Sequence, residues 1–347
     1  MDIATLLEYA VAQNASDIHL RVNKEPWLRI DGKLFVPDNF GVVTQVDLET
    51  FLRVALPGIE IQPDSDFLIC GNAVKGNRFR GNFFHSAGKV GLVLRALPAQ
   101  IPQLDTLGLP PKLTELLDRE SGLILVTGAT GSGKSTTLAS MVQQICCAPH
   151  QHVITIEDPV EFQLSNDNNL ITQRALGADV KSFPIALKSA MREDPDIIMV
   201  GETRDRETAE LLLTAAETGH MVFSTLHTPS AAGTINRLVS LFPSDAHEGV
   251  RAQIADSLIG VLSQTLLPRQ GGGRVLAYEF LVVNDPVKNL IRQGKIEQIA
   301  TPMQTGRKEG MVTMDHCLRG LRDAGTISDA TFHATLAKFG QTQSVAR

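Results

Sequence analysis

The chain has 347 residues, enough for two domains of about 150 residues each. Its 43% hydrophobic and 20% charged residues describe a folded globular protein and exclude a disordered one. The 38 acidic and 32 basic residues leave a net charge of −6, which lacks the basic footprint of a duplex-binding protein, so no direct nucleic-acid partner is expected.

Taken in chain order, Ile3, Leu6, Leu7, Ala10 and Val11 fall at helical spacing and predict an amphipathic opening helix. The N-terminal stretch has no lysine or arginine and so lacks a signal peptide's positive region. SDIHLRV alternates like a strand, and PWLRI and KLFV flank an Asp31–Gly32 hairpin turn. A helix is expected over 47–55. RFRGNFF and VGLVLRAL then flank the turn-like HSAGK as a second hairpin. Pro98, Pro102, Pro110 and Pro111 suit an extended linker. The expected layout is therefore a small α+β domain at 1–100, a Pro-rich linker at 101–112 and a second domain at 113–347. From residue 121, strands alternate with helices: LILVT then 133–145, VITIE then 183–192, IIMVG then 206–217, and MVFSTLH then 230–240. That order predicts a mostly parallel sheet covered by helices. The last hundred residues read as mainly helical, with GGGRVLAYEFLVV as a strand or hairpin. Four cysteines without a CxxC pair make neither a zinc ribbon nor a disulfide framework, so no zinc is expected. No run of 18 apolar residues exists. A soluble cytoplasmic protein is the expectation.

Four constellations carry chemistry. Gly128-Ala-Thr130-Gly131-Ser132-Gly133-Lys134-Ser135 matches GxxxxGK[ST], with Thr136 following, and lies between an expected strand and an expected helix. Its glycines let backbone N–H groups curl around phosphate, and the helix N-terminus faces the same anion. Lys134 would reach the β- and γ-phosphates of a nucleotide and Ser135 would ligate Mg²⁺. Ile154-Thr-Ile-Glu157-Asp158-Pro-Val-Glu161 ends the next strand with three carboxylates, able to bind a metal or act as a general base. Asp196-Ile-Ile-Met-Val-Gly201-Glu202 follows the Walker B pattern, with Gly201 where the common form has Asp. A strand-sized segment between this block and the P-loop suggests a RecA-like order. In Thr218-Gly-His220-Met-Val-Phe-Ser-Thr-Leu-His227-Thr228, the last two residues end a strand at the ligand edge, where a polar side chain can sense the γ-phosphate. His220 reads as structural.

Together GATGSGKST, ITIEDPVEF, REDPDIIMVGE and TAAETGHMVFSTLHT resemble the Walker A, Asp, Walker B and His boxes of the secretion ATPase superfamily. Within it they most resemble the type IV pilus retraction (twitching motility) ATPase family, PilT. ASDIHLRV, GGGRVLAYE and NLIRQGKIEQI extend the resemblance along the chain. The resemblance implies an α/β fold in which a PAS-like α+β domain precedes a RecA-like P-loop ATPase domain. It implies a homohexameric ring on the cytoplasmic face of the inner membrane, against a pilus platform protein, with a paralogous retraction ATPase as a further partner. ATP and Mg²⁺ would sit between the domains, with contributions from neighbouring subunits. Glu161 maps to the catalytic glutamate, and Glu202 would help to hold Mg²⁺ and water. Gly201 becomes normal for the family. Glu157 and Asp158 remain candidate metal ligands. His227 would contact the γ-phosphate, and Arg80 and Arg95 resemble N-domain arginines that reach the nucleotide. One motif departs: where the family reads AIRNLIRE, this chain has Pro286-Val-Lys288-Asn289-Leu290-Ile291-Arg292-Gln293. Asp285 and Pro286 would cap that helix and Gly294 would end it.

The competing readings are an auxiliary retraction paralogue, a non-hydrolysing accessory subunit, a pilus assembly or type II secretion ATPase, and a DNA translocase. The assembly and secretion relatives usually carry a further domain and a tetracysteine zinc site. The intact Lys134, Glu161, Glu202 and His227 argue against an accessory subunit.

Overall fold

The computed structural model describes residues 1–30, 32–58, 64–98 and 100–345. Asp31, one half of the expected first turn, lies outside them. The chain divides into two compact units, Met1–Gln100 and Ile101–Arg347.

The first unit is α+β. Helix α1 (Ile3–Ala12) starts at Asp2, whose carboxylate accepts from the Ala4 N–H, and it buries Ile3, Leu6, Leu7 and Ala10. Strands β1 (Asp17–Arg21), β2 (Trp27–Ile30) and β3 (Lys33–Phe35) follow. Helix α2 (Gln45–Ala55) opens with a capping box between Thr44 and Asp47. Strands β4 (Ser65–Ile69), β5 (Arg78–Ser86) and β6 (Lys89–Leu97) complete an antiparallel sheet of order β3-β2-β1-β6-β5-β4. In the HSAGK turn Ser86 pairs with Lys89, and Ala87 and Gly88 have φ of +51° and +72°. Two positive φ values are what a two-residue hairpin turn needs. Ile18, Leu20, Leu28, Phe79, Leu92 and Leu94 form the core under both helices.

The second unit is α/β. The Pro-rich stretch read as an extended linker is folded here instead. Leu104 is buried with Leu113 in this unit's core, and the Ser140 hydroxyl donates to the Pro102 carbonyl. After α3 (Pro111–Leu117) come β7 (Gly122–Thr127), α4 (Lys134–Ile145), β8 (His152–Glu157) and β9 (Leu170–Ala175). Next are α5 (Phe183–Ala190), β10 (Ile197–Val200), α6 (Arg206–Glu217), β11 (Met221–Leu226), α7 (Ala231–Ser240) and α8 (His247–Ser257). The chain ends with β12 (Leu258–Pro268), β13 (Arg274–Val282), α9 (Asp285–Arg292), α10 (Ala300–Thr305), α11 (Met314–Asp323) and α12 (Asp329–Val345).

The sheet runs β13-β12-β7-β11-β10-β8-β9, parallel throughout except for β13. Strands β7, β10 and β11 are buried at every position, which is why they read as unbroken apolar runs. Two strands escaped the sequence reading. LIGVLSQTLLP, taken as helical, is the long strand β12, because a continuous apolar run has no period that separates a buried strand from a buried helix. Strand β9, with its polar LITQRA, lies at the sheet edge, where little apolar patterning is needed. The α9 cap also shifts by one residue. Asn284, not Asp285, is the N-cap and accepts from the Val287 N–H, and Gly294 follows the helix at φ +70°.

Candidate nucleotide site

Strand β7 ends at Thr127 and α4 starts at Lys134, so the loop 128–133 lies at the carboxyl edge of the parallel sheet. Gly128 has φ +145°, and a Cβ there would sit 2.3 Å from the Gln264 carbonyl oxygen and 2.6 Å from Ser132 Oγ. Only glycine fits this approach of the loop to β12. Gly131 and Gly133 also take positive φ, and a Cβ on Gly131 would meet nothing within 4 Å. No side chain caps α4, whereas Ser182, Asp205 and Ser230 cap α5, α6 and α7. The first-turn N–H groups of α4 thus keep their donors for an anion. Lys134 Nζ donates to the Gly128 and Ala129 carbonyls at 2.9 and 3.1 Å. Burial lowers its pKa, while the charges of Glu202 and Glu161 oppose that shift. Those opposing charges place both carboxylates in the lysine's electrostatic field.

Neighbouring strand ends deliver the remaining groups. Glu202 follows β10, and its side chain is only 12% exposed. Its Oε1 pairs with Arg204, and its Oε2 is buried without a hydrogen-bond partner. His227, just after β11, holds Nε2 3.7 Å from that oxygen. Burial, then the Lys134 charge, keeps the His227 pKa below its ordinary 6.5, so its ring is neutral at pH 7. Gly201 is close against β8: a Cβ there would lie 3.4 Å from Glu157 Cα.

The Asp box divides its carboxylates. Glu157 is buried, and its Oε1 accepts from the Thr155 hydroxyl at 2.7 Å and the Gln173 amide at 3.2 Å. It also accepts from the Glu161 backbone, and burial raises its pKa. Glu157 thereby braces the loop that carries Glu161. Asp158 is exposed. Glu161 is half-buried within the field of Lys134.

Arg80 and Arg95 lie in the first unit, directly opposite each other on β5 and β6. Arg80 pairs with Asp66 and Arg95 with Asp17, each at 2.8 Å.

Five residues outside the motifs hold this site. Gln173 bonds the Phe162 carbonyl and the Leu164 N–H, fixing the loop after Glu157. Gln264 Nε2 donates to the Ser132 carbonyl at 2.8 Å. Thr234 and Ser263 join Thr127 and Thr228 in a buried hydroxyl cluster. Buried Glu279 accepts from the N–H groups of Ala231 and Met314, the first residues of α7 and α11. The sequence carried one signal for these: polar Ser263-Gln264 interrupting an apolar run.

Among the described residues no group of three His, Cys, Asp or Glu side chains could hold a metal ion. Mg²⁺ keeps several waters and takes one or two protein ligands beside substrate phosphates. Ser135 and the unpartnered Oε2 of Glu202 suit such a part. Among the described residues no helix is long and apolar enough to cross a membrane.

A glycine loop on a parallel sheet, an uncapped helix behind it, and a lysine facing two carboxylates define a P-loop nucleotide-binding domain of RecA-like class. Residues 72–327 match the family described as "Type II/IV secretion system protein". The chain belongs to that family, in the branch of the PilT retraction ATPases. It is 42% identical to the type IV pilus retraction ATPase PilT of Pseudomonas aeruginosa, over 94% of this chain and 96% of that one. It is 34% identical to the type IV pilus ATPase PilU of the same organism, over 97% and 90%. A crystal structure of the pilus retraction motor PilT with bound ADP superposes with a TM-score of 0.87 at 44% identity, covering 96% of both chains. The resemblance carried by the four boxes is borne out.

Proposed function

We propose that this chain is an ATP-hydrolysing motor that drives type IV pilus disassembly and retraction, hence twitching motility. The observation that carries the reading is the convergence of Lys134, Glu161, Glu202 and His227 beside the uncapped start of α4. On nucleotide binding, Lys134 exchanges the Gly128 and Ala129 carbonyls for β- and γ-phosphate oxygens. Loop N–H groups from Gly131 to Thr136 surround the same phosphates. Glu161 orients the attacking water and takes its proton. Glu202 holds water near the γ-phosphate, and with Ser135 it would hold Mg²⁺, which supplies positive charge between the phosphates. Neutral His227 contacts the γ-phosphate without adding charge.

The reading extends to assembly. Six copies form a ring at the cytoplasmic face of the inner membrane, against the pilus platform protein. Arg80 and Arg95 release Asp66 and Asp17 to reach nucleotide, as arginine fingers do. The first unit is the PAS-like domain and the second the RecA-like motor. Identity to PilT above that to PilU supports a main motor over an auxiliary paralogue. The test is steady-state ATP hydrolysis by the wild type and Lys134→Ala, together with a gene deletion scored for twitching and surface pili. Turnover lost with Lys134, and hyperpiliated cells that do not twitch, are the expected results. Lysine-independent turnover would overturn the reading.

A further inference from the structure

The strand β12 is not part of any of the four boxes, yet its Gln264 side chain reaches the first of them directly and its Ser263 side chain is linked to the last through Thr127 and Thr234. Successive residues of a strand point to opposite faces of the sheet. Ser263 is the register partner of Thr127, the last residue of β7. Its hydroxyl lies 2.7 Å from Thr127 Oγ1. From Thr127 the cluster continues to Thr234 Oγ1 at 3.3 Å and on to Thr228 Oγ1 at 2.6 Å. Thr228 is the residue after His227. All four hydroxyls are buried, at 0 to 8% exposure, where losing a partner is costly.

Gln264 faces the other way. It is 2% exposed, and its amide donates to the Ser132 carbonyl in the phosphate loop. Gly128 packs directly on its backbone carbonyl. A loop that binds phosphate through N–H groups must keep its carbonyl oxygens turned away from the anion. The Gln264 amide holds the Ser132 carbonyl in that orientation. Its Oε1 and the nearby Ser132 Oγ are both buried without partners, so little else fixes this contact.

We propose that Ser263 and Gln264 are positioning residues for ATP hydrolysis: one strand holds the P-loop with Gln264 and, through Thr127 and Thr234, the His box with Ser263. This deepens the ATPase reading and rests on it. The two side chains have separable effects. Gln264 sets the loop that binds nucleotide, so it acts on affinity. The Ser263 cluster sets the residue beside His227, so it acts on turnover.

The test uses the full-length protein, with ATP for kinetics and a fluorescent ADP analogue for binding. Gln264→Met keeps length and loses the donor; it should weaken ADP-analogue binding and raise KM about tenfold, the size of one lost hydrogen bond, with kcat within about twofold. Gln264→Glu also removes the amide donor and should weaken binding likewise; it carries the test if the Met variant fails to fold. Ser263→Ala removes the first hydroxyl of the cluster and Thr234→Val the one that links Thr127 to Thr228; in each, kcat should fall about tenfold with KM unchanged, and a wild-type kcat in Ser263→Ala would overturn the proposal for that residue. Thr234→Ser keeps the hydroxyl and should restore wild-type kcat. A role through side-chain volume alone predicts the reverse order, since Ser leaves a void and Val does not. Wild-type ADP-analogue binding by both Gln264 variants, or a Ser variant as slow as the Val variant, would overturn the proposal. Lys134→Ala is the reference. Should it hydrolyse ATP normally, the ATPase reading itself fails; should it be dead while the other variants match the wild type, only this inference fails.

Discussion

At the residue scale, the roles of the three carboxylates are separable. Glu161→Gln keeps size and polarity but removes the base, so hydrolysis should fall by about 10²-fold or more while ATP still binds. Single-turnover kinetics beside equilibrium binding would check this. Normal turnover in Glu161→Gln with a dead Glu202→Gln would exchange their roles. Glu157→Gln should act through the loop, since its partners are Thr155, Gln173 and the Glu161 backbone. His227 gives a pH signature. Its folded pKa lies below its unfolded value, so the unfolded chain binds that proton more readily. Its contribution is intact above the ordinary pKa of 6.5 and is lost as pH falls below it. An NMR titration of this ring should give a midpoint below 6.5, and a midpoint above it would contradict the neutral role. The P-loop, Glu202 and His227 were legible in the sequence because each motif ends a strand at one sheet edge. Gln173 and Glu279 were not, because nothing local marks the tertiary hydrogen bonds they make, and for Gln264 the one hint was a polar pair interrupting an apolar run.

At the element scale, complete burial erases the periodicity that tells a strand from a helix. Strand β12 is buried over its first seven residues, so its composition alone does not choose between helix and strand. Its place between β7 and β13 decides the matter. Leu262, fully buried there, should cost about 2–5 kcal/mol when changed to Ala, measured by urea denaturation. The α9 cap is a separate case. Asn284 and Asp285 both suit an N-cap, and the side chain that meets the Val287 N–H belongs to Asn284. Asn284→Ala should lower stability by about 1 kcal/mol, and Asp285→Ala by less. Equal losses would return the cap to Asp285. Helix α9 keeps its form despite its altered motif, because Val287 and Ile291 supply the buried face and Arg292 pairs with Asp256 of α8.

At the scale of the whole molecule, the two units are each built around their own core. The arginine pair of the first unit supplies the test of the ring. Arg80→Ala with Arg95→Ala should lower kcat strongly while leaving ADP-analogue binding to the P-loop, since neither arginine belongs to the second unit. Light scattering should show a hexamer at working concentration; a fully active monomer, or an unchanged kcat in the double variant, would refute the ring mechanism. One junction bears on how such a ring would behave under load. Helix α8 ends at Ser257 and β12 begins at Leu258, with no residue between them. Helix α9 leans on α8 through the Arg292–Asp256 pair. If α9 bears load, so direct a tie-rod would carry tension into β12 and on to the phosphate loop, where it would be felt as altered fuel affinity. In an optical trap, the ring's apparent KM for ATP should climb as the opposing force grows, and a force-independent KM would mean that the rod bends.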